Sequence, residues 1–358
     1  MSVKNLVVAP SQLGRISIGR LVEKNGKVIP EKCDNIRVTG NAMVSKAWVD
    51  HPVMASITPD ATGKIRSIPV RVLFDAPGSN LQTNYSCFDT NGRQVCVGDG
   101  AVAKRRESGS VSDVACPGPE LCQFGKQNRC KLYSRLTVGI DVDAEGYGYE
   151  ANPTAGFVFR STGWNSAKQL QAQLSMFSAA CGGKMAGFPA DLVIRAKSSS
   201  MSMKSMFYHL DLVPQGGLVS AVMDTLARRK QMEDGGVTWE RVEEAVASGL
   251  SQSAFAEDGE EGQSIVQEFF GDGDAVDTVT GEVLSPAPVV EAVLSEAETD
   301  LIKVGLLKAG KSIASLNSWL GRQEDEPLAT MGVDNFTKVK GALGIKPVVS
   351  DGAMAAAA

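Results

Sequence analysis

The chain has 358 residues, a net charge of −5, seven cysteines and only two histidines. This length is enough for two domains, while the lack of a signal-peptide pattern or of about 18 uninterrupted apolar residues excludes a secreted or membrane-spanning protein. We therefore predict a cytoplasmic protein, in which an odd cysteine count favours thiolate ligation or plain burial over a full disulfide framework. With only two histidines, any metal site must rely on sulfur.

The charge is divided unevenly along the chain. Residues 1–215 contain 25 basic and 17 acidic side chains, a net charge of +8, whereas residues 216–358 contain 11 and 24, a net charge of −13. A basic body with an acidic appendage is typical of proteins that bind polyanions. An ordinary solvated surface would explain the same distribution equally well.

Two β-type segments precede the cysteine-rich region. Residues 65–74 alternate apolar and polar side chains, which predicts a strand, and Pro69 within it predicts an edge position. Farther along, Asn91-Gly92 lies between two β-type runs and predicts a two-residue type I′ hairpin turn. Positions whose numbers sum to 183 then lie opposite each other, so Cys87 is predicted to face Cys96.

A β-α-β-β segment is predicted to close the basic part. A strand at 157–159 precedes a helix whose cap is predicted at Asn165 or Ser166, and two further strands follow at 192–194 and 207–210. The helix carries apolar side chains at helical spacing, namely Leu170, Leu174, Phe177 and Cys181. We assign these positions to the core rather than to a site.

The chain is predicted to have four regions: a β-rich metal-binding domain (1–215), an acidic, partly helical connector (216–290), a small helical domain (291–345) and a disordered tail (346–358). Helical patterns occur in the connector around 218–226 and 239–246, and its acidic, glycine-rich stretch 257–277 predicts loose tethering. In the helical domain, Ser295 opens a capping box, with Leu301, Val304 and Leu307 on one helix face.

Five of the seven cysteines fall close together in the sequence: Cys87, Cys96, Cys116, Cys122 and Cys130. A structural zinc ion takes four thiolate or imidazole ligands, and the proline- and glycine-rich loop after Cys116 has little regular structure to order it without a metal. We therefore predict a Zn²⁺ site, although the spacing leaves open which of Cys87 and Cys96 is the first ligand. The alternative is that all five are small buried side chains, an interpretation that suits Cys33 and Cys181 better.

The predicted fold class is thus α+β: a β-rich N-terminal domain with a cysteine-ligated zinc knuckle and a β-α-β-β segment, followed by a small helical C-terminal region. Basic side chains surround the predicted knuckle, and phosphate contacts are plausible there. The candidate nucleic-acid-binding residues are Lys104, Arg105, Arg106, Lys126, Arg129, Lys131 and Arg135. Solvation of an exposed loop would account for the same residues.

One nucleotide-binding motif is set aside. Gly305, Gly310, Lys311 and Ser312 match the P-loop pattern, but that pattern needs a buried strand in front of it and here a capped helix leads in. With two histidines, no catalytic constellation of the Ser/His/Asp or Cys/His kind is proposed either.

The cysteine-rich segment also carries a family resemblance. Cys96-Val97-Gly98-Asp99-Gly100, the run from Cys116 to Cys122 and the run from Cys130 to Leu136 resemble the recombination directionality factor-like proteins of phages and mobile elements. The resemblance continues through 156–166 and 192–198, so that it covers roughly residues 65–213. It implies Cys96, Cys116, Cys122 and Cys130 as the ligand set, and some members of the family resemble accessory proteins that bind a serine integrase and reverse its direction.

Three functional hypotheses follow. The first is a non-enzymatic DNA-metabolism accessory protein whose partners are DNA, a site-specific recombinase or both, in the cytoplasm of a bacterial host. The second is a single-strand DNA-binding or annealing factor. The third is a metal-dependent hydrolase or nuclease using Asp99 or Asp113, which a closed four-thiolate site would exclude.

Overall fold

The computed structural model describes residues 10–24, 27–44, 47–107, 109–198, 206–251, 255, 257, 259–270, 296–320, 328, 339 and 342. The chain divides into two compact units, Met1–Val283 and Leu284–Ala358. Among the described residues, no helix is both long and apolar enough to cross a membrane. The predicted tail, 346–358, lies outside the described residues.

The first unit is built on a twelve-stranded sheet. Its strands are β1 (Gln12–Lys24), β2 (Lys27–Val44), β3 (Ala47–Asp50), β4 (Ser67–Val72), β5 (Leu81–Phe88), β6 (Gln94–Gly98), β7 (Val102–Glu107), β8 (Ser110–Ala115), β9 (Lys131–Ile140), β10 (Gly156–Ser161), β11 (Pro189–Ser198) and β12 (Met206–Pro214). The main path of neighbours is β3-β2-β1-β10-β9-β5-β6-β7-β8, and β4 joins β9 to the β11-β12 pair. The described pairings are antiparallel except that of β1 with β10.

Among the residues that the structure describes, six α-helices belong to the same unit. They are α1 (Pro77–Asn80), α2 (Gln123–Gln127), α3 (Trp164–Ala180), α4 (Leu218–Asp234), α5 (Trp239–Ser251) and α6 (Gly259–Phe269). The predicted β-α-β-β segment is confirmed as β10, α3, β11 and β12. The predicted helix cap at Asn165 or Ser166 is wrong, since α3 begins at Trp164 and its N-cap residue is Gly163. The helical patterns at 218–226 and 239–246 correspond to α4 and α5, and α6 lies in the stretch for which loose tethering was predicted.

The two faces of the central strands differ in chemistry because successive side chains of a strand point to opposite faces. One face carries apolar side chains that pack with α3 into the main core; examples are Ile16, Leu136, Phe157, Phe159, Leu170, Leu174 and Phe177. Ring stacking of Phe177 on Phe188, with centroids 4.3 Å apart, closes this core. The other face carries polar and cationic side chains, among them the buried Arg15, Arg135 and Arg160.

The prediction that Pro69 marks an edge strand is wrong. Strand β4 pairs with β11 on one side and with β9 on the other. Proline is tolerated because pairing with β9 begins only at Val70, and the Pro69 carbonyl still accepts the Asp141 N–H at 2.9 Å. The N–H that Pro69 lacks would therefore lie at the end of the β4-β9 pairing, where no ladder hydrogen bond is lost.

In the second unit, the described helices are α7 (Glu296–Ala309) and α8 (Ile313–Trp319). The predicted helix face is wrong: Val304 and Leu307 are exposed, whereas Ile302 and Leu306 are buried in a small apolar cluster. Both stripes of α7 are apolar, so periodicity alone could not choose between them. The cap residue Ser295 lies outside the described residues. The P-loop-like residues fall at the end of α7 and at the cap of α8, which agrees with setting that motif aside.

Candidate functional site

The hairpin of β5 and β6 brings the first two cysteines together. Cys87 pairs with Cys96, so the predicted register is confirmed. The predicted type I′ turn is wrong, since Asn91 does not adopt positive φ and only Gly92 does, at 80°. The Gly92 N–H donates to the Asp89 carbonyl, which makes a three-residue turn, and a register shift next to Cys87 restores the pairing.

The other three cysteines come from the segment between β8 and β9. Cys116 follows β8 directly, and its N–H donates to the Ala101 carbonyl. Cys122 is the N-cap residue of α2, where its Sγ accepts the Gly125 N–H at 3.3 Å. Cys130 precedes β9, and its N–H donates to the Gly125 carbonyl at 2.8 Å. The short helix α2 thus lies between Cys122 and Cys130.

All five sulfur-bearing residues line one small cavity of about 10 Å³. Two glycines make room for them: a Cβ on Gly98 would lie 2.7 Å from the Cys116 Sγ, and one on Gly125 would lie 3.0 Å from the Cys130 Cβ. We call Cys87, Cys96, Cys116, Cys122 and Cys130 the cysteine cluster. Cys33 and Cys181 lie elsewhere, the latter in the main core.

Hydrogen bonds and one arginine set the charge of the cysteine cluster. Cys87 shares hydrogen bonds with Cys130 and Cys96; these bonds and burial raise its pKa, so Cys87 keeps its proton. The same bond from Cys87, helped by Arg105, lowers the pKa of Cys96 to about 6. The Arg105 Nη2 also lies 3.7 Å from the Cys122 Sγ, and its guanidinium stacks on Phe124 at 4.1 Å. A fixed cation therefore faces the sulfurs.

The donor set of the cluster suits a zinc ion, although its present geometry does not enclose one. Within the described part of the chain, no three His, Cys, Asp or Glu side chains are arranged to hold a metal ion. The Cys87 thiol interacts instead with those of Cys130 and Cys96. Yet soft sulfur donors are the ligands zinc prefers in structural sites, five are present where four are needed, and Arg105 would offset the surplus negative charge of four thiolates.

No carboxylate lines the cavity among the described residues, so the arrangement a hydrolase would need is not formed. Asp99 accepts hydrogen bonds from the Ala101 and Val102 N–H groups at 2.8 Å, which is a turn-forming role. Asp113 forms an exposed ion pair with Lys104 at 3.0 Å.

A second polar constellation lies on the cationic face of the sheet. Arg15, Arg160 and Arg135 stand on three neighbouring strands, β1, β10 and β9, and Arg160 and Arg135 are direct cross-strand partners. All three are buried. We call them the arginine row. Arg15 and Arg160 were not among the predicted site residues. The feature that could have revealed them is a positively charged side chain within a mostly apolar strand.

The arginine row is covered by carboxylates from Glu257 and α6, which together we call the acidic segment. Glu257 contacts the Arg160 guanidinium at 2.9 Å and that of Arg135 at 3.5 Å, and it accepts the Tyr133 hydroxyl at 2.9 Å. Glu268 pairs with Arg15 at 3.1 Å, and Glu261 pairs with Arg160. Three buried cations thus face three anions.

Apolar and backbone contacts complete the docking of the acidic segment. Ile265 and Phe270 pack with Phe88 and Tyr133 in a separate apolar cluster. At the C-terminal end of α6, the Lys131 Nζ donates to the Phe269 carbonyl at 3.1 Å and the Arg129 Nη1 to the Phe270 carbonyl at 2.9 Å. Cations at a helix C-terminus satisfy its free carbonyls and oppose its dipole.

The family profile described as recombination directionality factor-like, Gp3-like, matches residues 13–215, which is more than half of the chain and includes the cysteine cluster and the arginine row. The chain belongs to this recombination directionality factor-like family. No curated protein and no solved structure is significantly similar to it. The family description indicates a recombination-related role, and the resemblance seen in the sequence is confirmed.

In this recombination directionality factor-like chain, most of the predicted phosphate-binding residues contact other parts of the same chain. Arg105 faces the cysteine cluster, and Arg106 stacks on Phe255 at 4.7 Å. As described above, Arg129 and Lys131 bind the end of α6 and Arg135 is buried beneath Glu257. Lys104 and Lys126 are exposed on the surface.

Proposed function

We propose that the chain is a zinc-binding accessory factor for DNA recombination in a phage or mobile element, a recombination directionality factor that acts with a serine integrase in the cytoplasm of a bacterial host. The observation that carries this proposal is the cysteine cluster, in which five sulfur-bearing residues from a hairpin and a loop line one cavity. The cluster lies inside the region that matches the family. Its partners would be DNA, the recombinase or both.

Zinc would act here as a structural ion. Four thiolates would close its coordination sphere, and the described residues of the cavity supply no carboxylate for hydrolysis. The ion would order the segment 116–130, whose only regular structure is the short helix α2. That segment and β7 carry Lys104 and Lys126, so an ordered loop would present a defined cationic surface to a partner. This favours an accessory protein over a hydrolase.

The test is the zinc content of the purified full-length protein and of a Cys116→Ser variant. We expect about one zinc per wild-type chain, and a loss of most of it in the variant, because a structural site needs all four ligands. Cys33→Ser is the matched control, since Cys33 is half-buried and lies outside the cavity. Its zinc content should equal that of the wild type.

The same three proteins are then compared for integrase binding and for reversal of integrase direction on plasmid substrates. Loss of both activities in Cys116→Ser alone would support the proposal. A wild-type protein that is free of metal, yet folded and active with the integrase, would refute the zinc part. A zinc-loaded protein without effect on any serine integrase tested would refute the recombination part.

A further inference from the structure

We propose that the arginine row and the aromatic rings beside it form a single-stranded nucleic-acid site, and that the acidic segment occupies this site as an internal competitor. This inference deepens the proposed role in DNA recombination by naming a binding surface, and it does not depend on zinc. Three observations carry it: the charge of the row, the aromatic platform and the way in which α6 is seated.

The charge of the arginine row favours an anionic occupant. Arg160 and Arg135 lie directly opposite each other on adjacent strands, and like charges in that position repel. With the acidic segment in place, the side chains of Arg15, Arg135 and Arg160 are no more than 8 % exposed. Three desolvated guanidinium groups are stable together only where anions replace the lost water. The carboxylates of the acidic segment supply these anions, and guanidinium groups bind phosphate oxygens in the same geometry.

Aromatic rings favour a single strand as the external occupant. Phe88 and Tyr133 lie next to the row, and in the structure they receive Phe270, whose ring centroid is 4.8 Å from that of Phe88. Trp48 lies beneath Arg15, 4.2 Å from its guanidinium. A cationic groove with aromatic rings on which bases stack is the usual design of single-strand-binding surfaces. In this interpretation the glutamates take the place of phosphates and Phe270 takes the place of a base.

Further cations continue the same surface. Arg129 and Lys131 hold the C-terminal end of α6, and Arg106 holds Phe255. All three were candidates for phosphate contacts on sequence grounds alone. The acidic segment therefore contacts three of the predicted phosphate-binding residues, Arg129, Lys131 and Arg135, which is the arrangement expected of a competitor.

The seating of α6 offers a way to displace it without changing charge. The helix crosses the β5-β6 turn where Gly262 meets Gly92, and a Cβ on Gly262 would collide with the Gly92 backbone. Because the neighbouring atoms are backbone atoms, they cannot move aside as a flexible side chain would. Gly262→Ala should therefore weaken the docking of α6.

The test measures binding of a labelled single strand of about 20 thymidines, longer than the 4–16 nucleotides that such folds cover, by fluorescence anisotropy. The full-length triple variant Glu257→Gln, Glu261→Gln, Glu268→Gln should bind roughly tenfold or more tightly than wild type, with a steeper dependence on salt. The control variant changes three exposed carboxylates by the same total charge, through Glu120→Gln, Asp143→Asn and Glu145→Gln. It should differ from wild type by no more than about twofold, because it leaves the row covered.

Two further variants separate displacement from charge. Gly262→Ala should also increase affinity, whereas Gly78→Ala, where a Cβ meets nothing within 4 Å, should not. Adding Arg135→Gln and Arg160→Gln to the triple variant should abolish its gain. Three results from folded variants would each overturn the inference. They are no gain in affinity, a gain equal to that of the charge control, and stronger binding to duplex than to single strand. The Cys116→Ser substitution should leave single-strand binding unchanged even if it removes zinc.

Discussion

Replacing Glu257 with glutamine is expected to release α6 from the sheet while β9 and β10 remain folded. Glu257 is buried among Arg160, Arg135 and Tyr133, and removing one partner of a buried ion pair costs about 3–5 kcal/mol. Undocking of α6 limits that cost, because it returns the guanidinium groups to water. Hydrogen exchange should therefore show protection of the α6 amides lowered by roughly two to three orders of magnitude, with smaller changes in the sheet.

The matched control for this prediction is Asp113→Asn. Asp113 pairs with Lys104, but both side chains are about half exposed or more, and an exposed pair contributes roughly 0–1 kcal/mol. Its exchange pattern should match that of wild type. If Glu257→Gln instead lowered protection equally in α6, β9 and β10, the acidic segment would be an inseparable part of the folded sheet, and the competitor role would lose its basis.

Acid should have the same effect as the Glu257 substitution. Burial raises the pKa of Glu257, but the attraction of Arg160 and Arg135 lowers it by a larger amount. The pKa of Glu257 therefore lies below its ordinary value of 4.5. A lowered folded pKa means that the stabilising contribution is complete above about pH 4.5 and is lost as pH falls through the folded pKa. Burial raises the pKa of Glu268, which acts in the opposite direction. Acid-dependent release of α6 should be present in wild type and much reduced in Glu257→Gln.

If zinc binds as proposed, removing it should expose the segment 116–130 to protease. A structural zinc site contributes folding free energy directly, on the order of 10 kcal/mol in small zinc domains, so loss of the proposed ion should unfold this loop. Trypsin can then cleave after Lys126 and Arg129, which lie within this segment. We expect chelator treatment of wild type, and Cys122→Ser without chelator, to give the same early cleavage.

Cys87 is expected to behave differently from the other members of the cysteine cluster. It is fully buried on β5 and hydrogen-bonds to both Cys96 and Cys130, a position suited to supporting ligands rather than being one. Cys87→Ala should therefore keep its zinc and its resistance to trypsin. Zinc loss in Cys87→Ala with retention in a Cys96→Ala variant would reverse the assignment of these two residues.

The spacing of the cysteines predicts the correct pairing in the cluster but the wrong turn. The pairing of Cys87 with Cys96 was predicted from a two-residue turn, whereas the structure reaches it through a three-residue turn and a compensating register shift. Asn-Gly is compatible with both turns, and side-chain hydrogen bonds of Asp89 to the Asn91 and Arg93 N–H groups favour the longer one. A local pattern could not weigh these contacts.

The arginine row could not be predicted in the same way. Arg15 and Arg160 are far apart in the sequence, and they become neighbours only because β1 pairs in parallel with β10. Their acidic partners lie about a hundred residues or more farther along, in a stretch whose composition predicts loose tethering. Acidic, glycine-rich composition predicts that a segment in water does not fold by itself. Ion pairs with a buried cationic surface stabilise the folded segment, and composition does not report them.

The amino-acid sequence alone determined the α+β class, the β-α-β-β segment, the helices α4 and α5, the family and the five cysteines of the cluster. These features depend on periodicity, turn-forming residues and short-range spacing, all of which are local. Only the tertiary structure decided that Pro69 lies in a doubly paired strand, that α7 buries Ile302 rather than Val304, and that Glu257 neutralises Arg160 and Arg135. These features depend on which surfaces, far apart in the sequence, pack against each other and exclude water. Such burial and charge pairing exist only in the folded chain.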